Sequence, residues 1–256
     1  MRLQKKIGGT FTALLILFIS VSAGTADAES IIATTSWTAA FALAAGAEYV
    51  AVLAPAEMLH PSEYELTPAD ILKLKKADLI IYAGYEVMVG ALKESLGIPE
   101  EKLLQIETRH DIKTIEQSLM KIGHRLGTVS EAEKNISDIT KVIIAGRESL
   151  SGAGIVKSST WVHSFQRPLA GSLGLGFSYA FGPQPLTAVE IAGAGKQEVK
   201  LVIDNVHNPV SGPLSAAFPD VKTAVWRNFP EVLSDSALKD VISGNIERLK
   251  ILYGVE

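Results

Sequence analysis

Short apolar runs punctuate the chain at a βα rhythm. Ile31–Thr35, Tyr49–Ala54, Asp78–Tyr82 and Leu103–Ile106 each read as a buried strand in the first half. Each is separated from the next by a segment with turn signals or helical spacing. Thr38–Ala45 is an Ala-rich helix stopped by Gly46, and Val87–Leu96 a helix closed by Gly97 and Pro99. Thr67 is a candidate N-cap, with Pro68 at the first helical position and Asp70 in the first turn, so a helix follows to Lys76. The pattern then changes period. Ile112, Ile115, Leu119, Ile122 and Leu126 recur at three and four residues, which is a helical stripe. Gly127 ends it, and Ser130-Glu131-Ala132-Glu133 reads as a capping box opening a second long helix to about Leu150.

Strand-like runs return at Ile155–Val162, Phe177–Phe181, Lys200–Asp204 and Thr223–Trp226, and Ser236–Tyr253 reads as a closing helix. A helix to Ser172 and another beginning at Leu186 lie between them. Alternating strands and helices argue for parallel sheets. The expected fold class is α/β: two lobes, each with a mainly parallel sheet flanked by helices, joined by a long linking helix. The expected division is residues 1–28 as a signal peptide, 29–111 as the first lobe, 112–151 as linking helices and 152–256 as the second lobe.

Composition narrows the function. Arg2, Lys5 and Lys6 precede an apolar run, Phe11–Val21, and Ala26-Asp27-Ala28 offers small residues to a signal peptidase. An exported, periplasmic protein is expected. The 256-residue chain has no cysteine, which excludes disulfides and thiolate metal sites, and its net charge of −4 argues against nucleic acid as a partner.

Histidine placement carries the candidate chemistry. The chain has five histidines, and His60, His110, His163 and His207 each follow a predicted strand by a few residues. Open α/β sheets bind ligands at the carboxyl ends of their strands, so these four imidazoles are candidate ligands of one metal ion in a cleft between the lobes. His124 lies inside a helix beside Arg125 and reads as a surface residue. An imidazole set without thiolates suits zinc, and a carboxylate-rich set would favour manganese. Glu57, Glu63 and Asp204 are the nearest carboxylates along the sequence, Asp204 as a further possible ligand, while Trp37 and Tyr64 are candidate walls of the site.

The segment Ser62-Glu63-Tyr64-Glu65-Leu66-Thr67-Pro68-Ala69-Asp70, followed by Ala77-Asp78-Leu79-Ile80-Ile81-Tyr82-Ala83-Gly84, carries a resemblance. It is similar to the metal-binding loop and strand of the zinc and manganese substrate-binding proteins of ABC importers, the ZnuA/TroA-like family. The resemblance implies two α/β lobes joined by one long helix, a divalent metal held between them, and delivery to an inner-membrane permease driven by a separate ATPase. A monomer without enzymatic activity is expected. The family's first ligand falls at Ser62 here, so His60, two residues earlier, is the substitute; His110 and His163 match the second and third. The fourth position falls near Asn228, which leaves His207, Asp204, Asn228 or water to complete the shell. A binding protein of this shape for a metal chelate or small anion is the alternative. A zinc hydrolase is a third reading, disfavoured because no His-Glu-x-x-His or Gly-x-Ser-x-Gly motif is present.

Overall fold

The structure is a computed structural model that describes residues 29–152, 154–155 and 159–255. The expected signal peptide lies outside the described residues. In the first half the strands are β1 (Ile31–Ala33), β2 (Ala51–Val52), β3 (Leu79–Tyr82) and β4 (Leu103–Gln105). In the second they are β5 (Thr160–His163), β6 (Tyr179–Phe181), β7 (Leu201–Asn205) and β8 (Lys222–Trp226). All pairings are parallel, and the two four-stranded sheets have the same relative order, β2-β1-β3-β4 and β6-β5-β7-β8. The expected α/β class with two parallel sheets is what the chain forms.

That order places a switch in connection direction between β1 and β3 and again between β5 and β7. Loops leaving such adjacent strands in opposite directions open a crevice at their carboxyl ends. The residues after β1, β3, β5 and β7 are therefore the ones positioned to meet a ligand.

The helices are α1 (Ser36–Ala44), α2 (Pro68–Lys76), α3 (Ile112–Leu126), α4 (Val129–Gly152), α5 (Arg167–Ser172), α6 (Ala188–Lys196), α7 (Gly212–Ala217) and α8 (Ala237–Tyr253). Strand alternation sorts side chains to two faces. Ile31, Ala33, Leu79 and Ile81 of the first sheet, with Val162, Leu201 and Ile203 of the second, join one continuous core with α1, α3, α4 and α8. The opposite faces close separate cores, around Ile32 and Ile80 in one half and around Trp161 and Val202 in the other.

Several boundaries differ from the sequence expectation, for local reasons. The Ser130 box is not the start of α4, which begins at Val129. Thr128 sets that entrance instead: its carbonyl accepts from Ala132 N, and its hydroxyl donates to Ala45 O at 2.6 Å. The expected helix over Val87–Leu96 includes a wide π-helical turn, Ala91–Ser95. The strand expected from Ile155 pairs only from Thr160, so His163 is its last residue rather than a loop residue, and residues 156–158 lie outside the description. α7, a short helix opened by Gly212 and Pro213, has no clear periodic signal in the sequence.

Candidate metal centre

Each candidate imidazole can be placed from its element. His60 opens the turn Pro61–Glu63 after β2 and is exposed. The turn is tied down twice: Val87 N donates to Ser62 O at 2.9 Å, and Tyr64 Oη donates to Asp70 Oδ2 at 2.7 Å. Asp70 also accepts from the Thr67 amide and hydroxyl, while the Thr67 hydroxyl accepts from the Asp70 amide, so the expected cap at Thr67 is a full capping box.

His110 precedes Asp111, which caps α3 by accepting from Thr114 N at 2.9 Å. Its ring is only 5% exposed and packs edge-on to Trp37 and against Phe41, with centroids 6.0 and 6.4 Å away. Burial pushes its pKa down to about 4, with Asp111 opposing weakly. Its Nε2 has no hydrogen-bond partner.

His207 follows β7. Its ring lies flat on Phe229, its amide donates to Asn205 Oδ1 at 2.9 Å, and its Nε2 is buried without a partner. Burial, then the neighbouring Arg227 charge, lower its pKa to about 4. Glu231 and a backbone hydrogen bond with Phe229 oppose that shift, and the charge of His60 adds to it. A neutral imidazole with one nitrogen on a backbone group and the other free is the form that binds a metal.

His163 is differently engaged. It is fully buried; Phe165 N donates to its Nδ1 at 3.2 Å, and its Nε2 lies 3.0 Å from Asn208 Oδ1. Accepting at Nδ1 assigns the ring proton to Nε2, which then donates to Asn208. The tautomer stabilised here is a structural donor, and Asn208 must be displaced before Nε2 can meet a cation.

The carboxylates near these rings are occupied. Asp204 Oδ1 accepts from Asn205 N at 2.8 Å, and Oδ2 accepts from Val210 N and Ser211 N at 3.1 and 2.8 Å, so it shapes the His207 loop. Glu57 and Glu63 are exposed, as is His124. Asn228 is buried and accepts from Gln166 Nε2 at 2.5 Å. Among the described residues no group of three or more His, Asp or Glu side chains is assembled to hold one ion.

An aromatic bridge lies between the rings instead. Trp37, from the first half, stands 6.0 Å from each of His110, Tyr85 and Phe229, and Phe229 continues to His207. Tyr64 does not wall this space by any ring contact; its hydroxyl serves the α2 cap. Sequence reasoning missed Glu86 and Phe229. Glu86 is buried and accepts from Thr34 Oγ1, Ala83 N and Gly84 N at 2.6, 2.9 and 2.7 Å. An acid two residues beyond a glycine that leaves a strand, here Gly84 at φ +105°, is the cue that could have found it. Phe229 carries no such cue.

Two parallel sheets of matching order with helices on their faces and a 24-residue helix make up a fold that solved metal-binding proteins share. The structure of FpvC from Pseudomonas aeruginosa in complex with Ni²⁺ matches with a TM-score of 0.71 at 15% identity, over 88% of this chain and 97% of that one. The metal-dependent lipoprotein YcdH from Bacillus subtilis matches at TM-score 0.62 and 18% identity, over 89% and 98% of the two chains. A Cd-bound periplasmic metal binding protein from Candidatus Liberibacter asiaticus matches at 0.59 and 14%, over 88% and 99%. No family model and no curated protein sequence matches the chain.

Proposed function

We propose that this chain is the exported substrate-binding component of an ABC importer. It captures a divalent transition metal between its two sheets and hands it to an inner-membrane permease served by a separate ATPase. The carrying observation is the pair of buried, unpartnered imidazole nitrogens, His110 Nε2 and His207 Nε2, in strand-end loops of the two sheets that the rings of Trp37 and Phe229 connect. His60, in an exposed loop whose charge is felt at His207, completes the set in this reading once the loop moves inward. His163 is the fourth ligand in this reading and joins by exchanging Asn208 for the metal.

Zinc is the first choice of cargo, because imidazole donors suit it and the nearby buried carboxylates are held by backbone amides. The solved relatives hold nickel, manganese or cadmium, which supports a divalent cargo more broadly than zinc. The protein works as a binder rather than an enzyme, as a monomer in the periplasm after removal of residues 1–28. Metal analysis of protein purified from the exported fraction without added metal tests the reading, with one equivalent of a transition metal expected. His60→Ala, His163→Ala and His207→Ala should each lower metal affinity by about 10- to 100-fold with the fold retained. Folded variants that keep wild-type affinity would sink the ligand set.

A further inference from the structure

Six buried side-chain polar atoms among the described residues have no hydrogen-bond partner, and three of them surround the first turn of α1: Ser36 Oγ, Trp37 Nε1 and His110 Nε2. Ser36 is 2% exposed. A protein rarely buries such groups without giving them a partner. The turn itself is also short of acceptors. Thr35 caps α1 by accepting from Thr38 N, which leaves the amides of Ser36 and Trp37 at the open end of a nine-residue helix. That end follows β1 directly, at the carboxyl edge of the first sheet where the connections from β1 and β3 part.

These groups do not suit a bare cation. An indole N–H and backbone amides only donate, a hydroxyl donates readily, and the helix end carries partial positive charge. Their complement is an anionic oxygen. Among the described residues no such oxygen bonds the Ser36 hydroxyl or the Trp37 indole: Glu86, linked to the helix end through Thr34, has its oxygens on Thr34 Oγ1 and on the Ala83 and Gly84 amides. In the second half Asn205 Nδ2 is likewise buried and unpartnered.

Resting on the metal-binding reading above, we propose that the first turn of α1 is an oxyanion subsite. The metal is captured together with a carboxylate-type anion, one of whose oxygens sits between Ser36 and Trp37 while the metal faces the imidazoles. His110 lies against Trp37, which puts one candidate metal ligand beside the subsite. The anion can be the carboxylate of an organic chelator or carbonate, which share this chemistry.

Titration calorimetry on the mature chain separates the possibilities, using Ni²⁺ alone in carbonate-free buffer, Ni²⁺ with citrate, Ni²⁺ with bicarbonate, and citrate alone. Citrate competes for Ni²⁺, so a bare-ion site loses apparent affinity when it is added, whereas the proposed site gains. We expect a gain of about tenfold or more, the worth of a charge-assisted hydrogen bond. Ser36→Ala and Trp37→Phe should each remove most of it. Neither Ser36 Oγ nor Trp37 Nε1 makes a hydrogen bond within the protein, so these losses would report the anion and not the fold. The same gain with bicarbonate, lost in the same variants, supports the subsite with carbonate as its source. Tight binding of Ni²⁺ alone that citrate only weakens overturns the subsite and leaves the metal reading intact. No binding of either Ni²⁺ form overturns both.

Discussion

The ring of Phe229 lies on the imidazole of His207, with centroids 3.5 Å apart and planes 19° from parallel. The stack removes one face of the imidazole from water. It also joins His207 to Trp37, 6.0 Å beyond Phe229 in the other half of the molecule. One ring thus contributes to the burial of a candidate ligand and touches the other half of the molecule. Phe229→Ala should let water reach His207 and raise its pKa from about 4 towards the ordinary 6.5. An NMR titration of the imidazole resonances would show this, and a pKa that stays near 4 would assign the depression to Arg227 instead.

Acid should weaken the fold through the buried imidazoles. Both His110 and His207 are depressed to about 4, so the folded protein keeps them neutral where the unfolded chain protonates them. Their contribution is complete above the unfolded pKa of about 6.5 and falls as pH drops towards about 4. For His110 alone, the loss between pH 7 and pH 5 is about 2 kcal/mol. Urea unfolding at the two pH values should show it, and His110→Leu should flatten that part of the dependence.

Gly182 should tolerate no side chain. Its φ is +74°, and a Cβ there would fall well inside van der Waals contact with the His163 ring. Gly182→Ala should cost about 2–4 kcal/mol through backbone strain and displacement of His163. The loss should appear in chemical denaturation together with a changed His163 tautomer signal, since the ring can no longer reach Asn208 in the same pose.

Matching clamps hold one helix in each half. Tyr64 and Thr67 bond Asp70 at the start of α2, and Tyr179 and Thr187 bond Glu190 at the start of α6. For Asp70, burial pulls the pKa up, but the Thr67 and Tyr64 hydrogen bonds outweigh it and leave it at about 2. Asp70→Ala should cost about 1–2 kcal/mol, and Glu190→Ala should lower the melting temperature by less, both measured by thermal unfolding. Asp70→Ala should also loosen the His60 loop, so its effect on metal affinity should exceed that of Glu190→Ala.

Periodicity made most of the architecture readable. The stripe from Ile112 to Leu126 is α3 to the residue, and the apolar runs around Ile31, Leu79 and Leu201 are the central strands. Such runs are buried on both faces, which is why their composition speaks clearly. What was not readable depends on tertiary partners. Ser130 looks like a cap, yet Thr128 takes the entrance of α4 because Ala45 offers it a carbonyl from another helix. At the candidate site, sequence spacing brought out the four imidazoles but said nothing of their ring nitrogens. Asn208 on His163 Nε2, and Trp37 and Phe229 between His110 and His207, follow from how loops of distant strands meet.

The core that α1, α3, α4 and α8 share with both sheets has a mechanical result. Neither half can swing far from the other without exposing Phe41, Ile139 or Ile246 to solvent. Heating should therefore melt the chain in a single calorimetric step. In the reading proposed above, cargo would then enter by local yielding of the loops at the strand ends rather than by a wide sweep of one half onto the other.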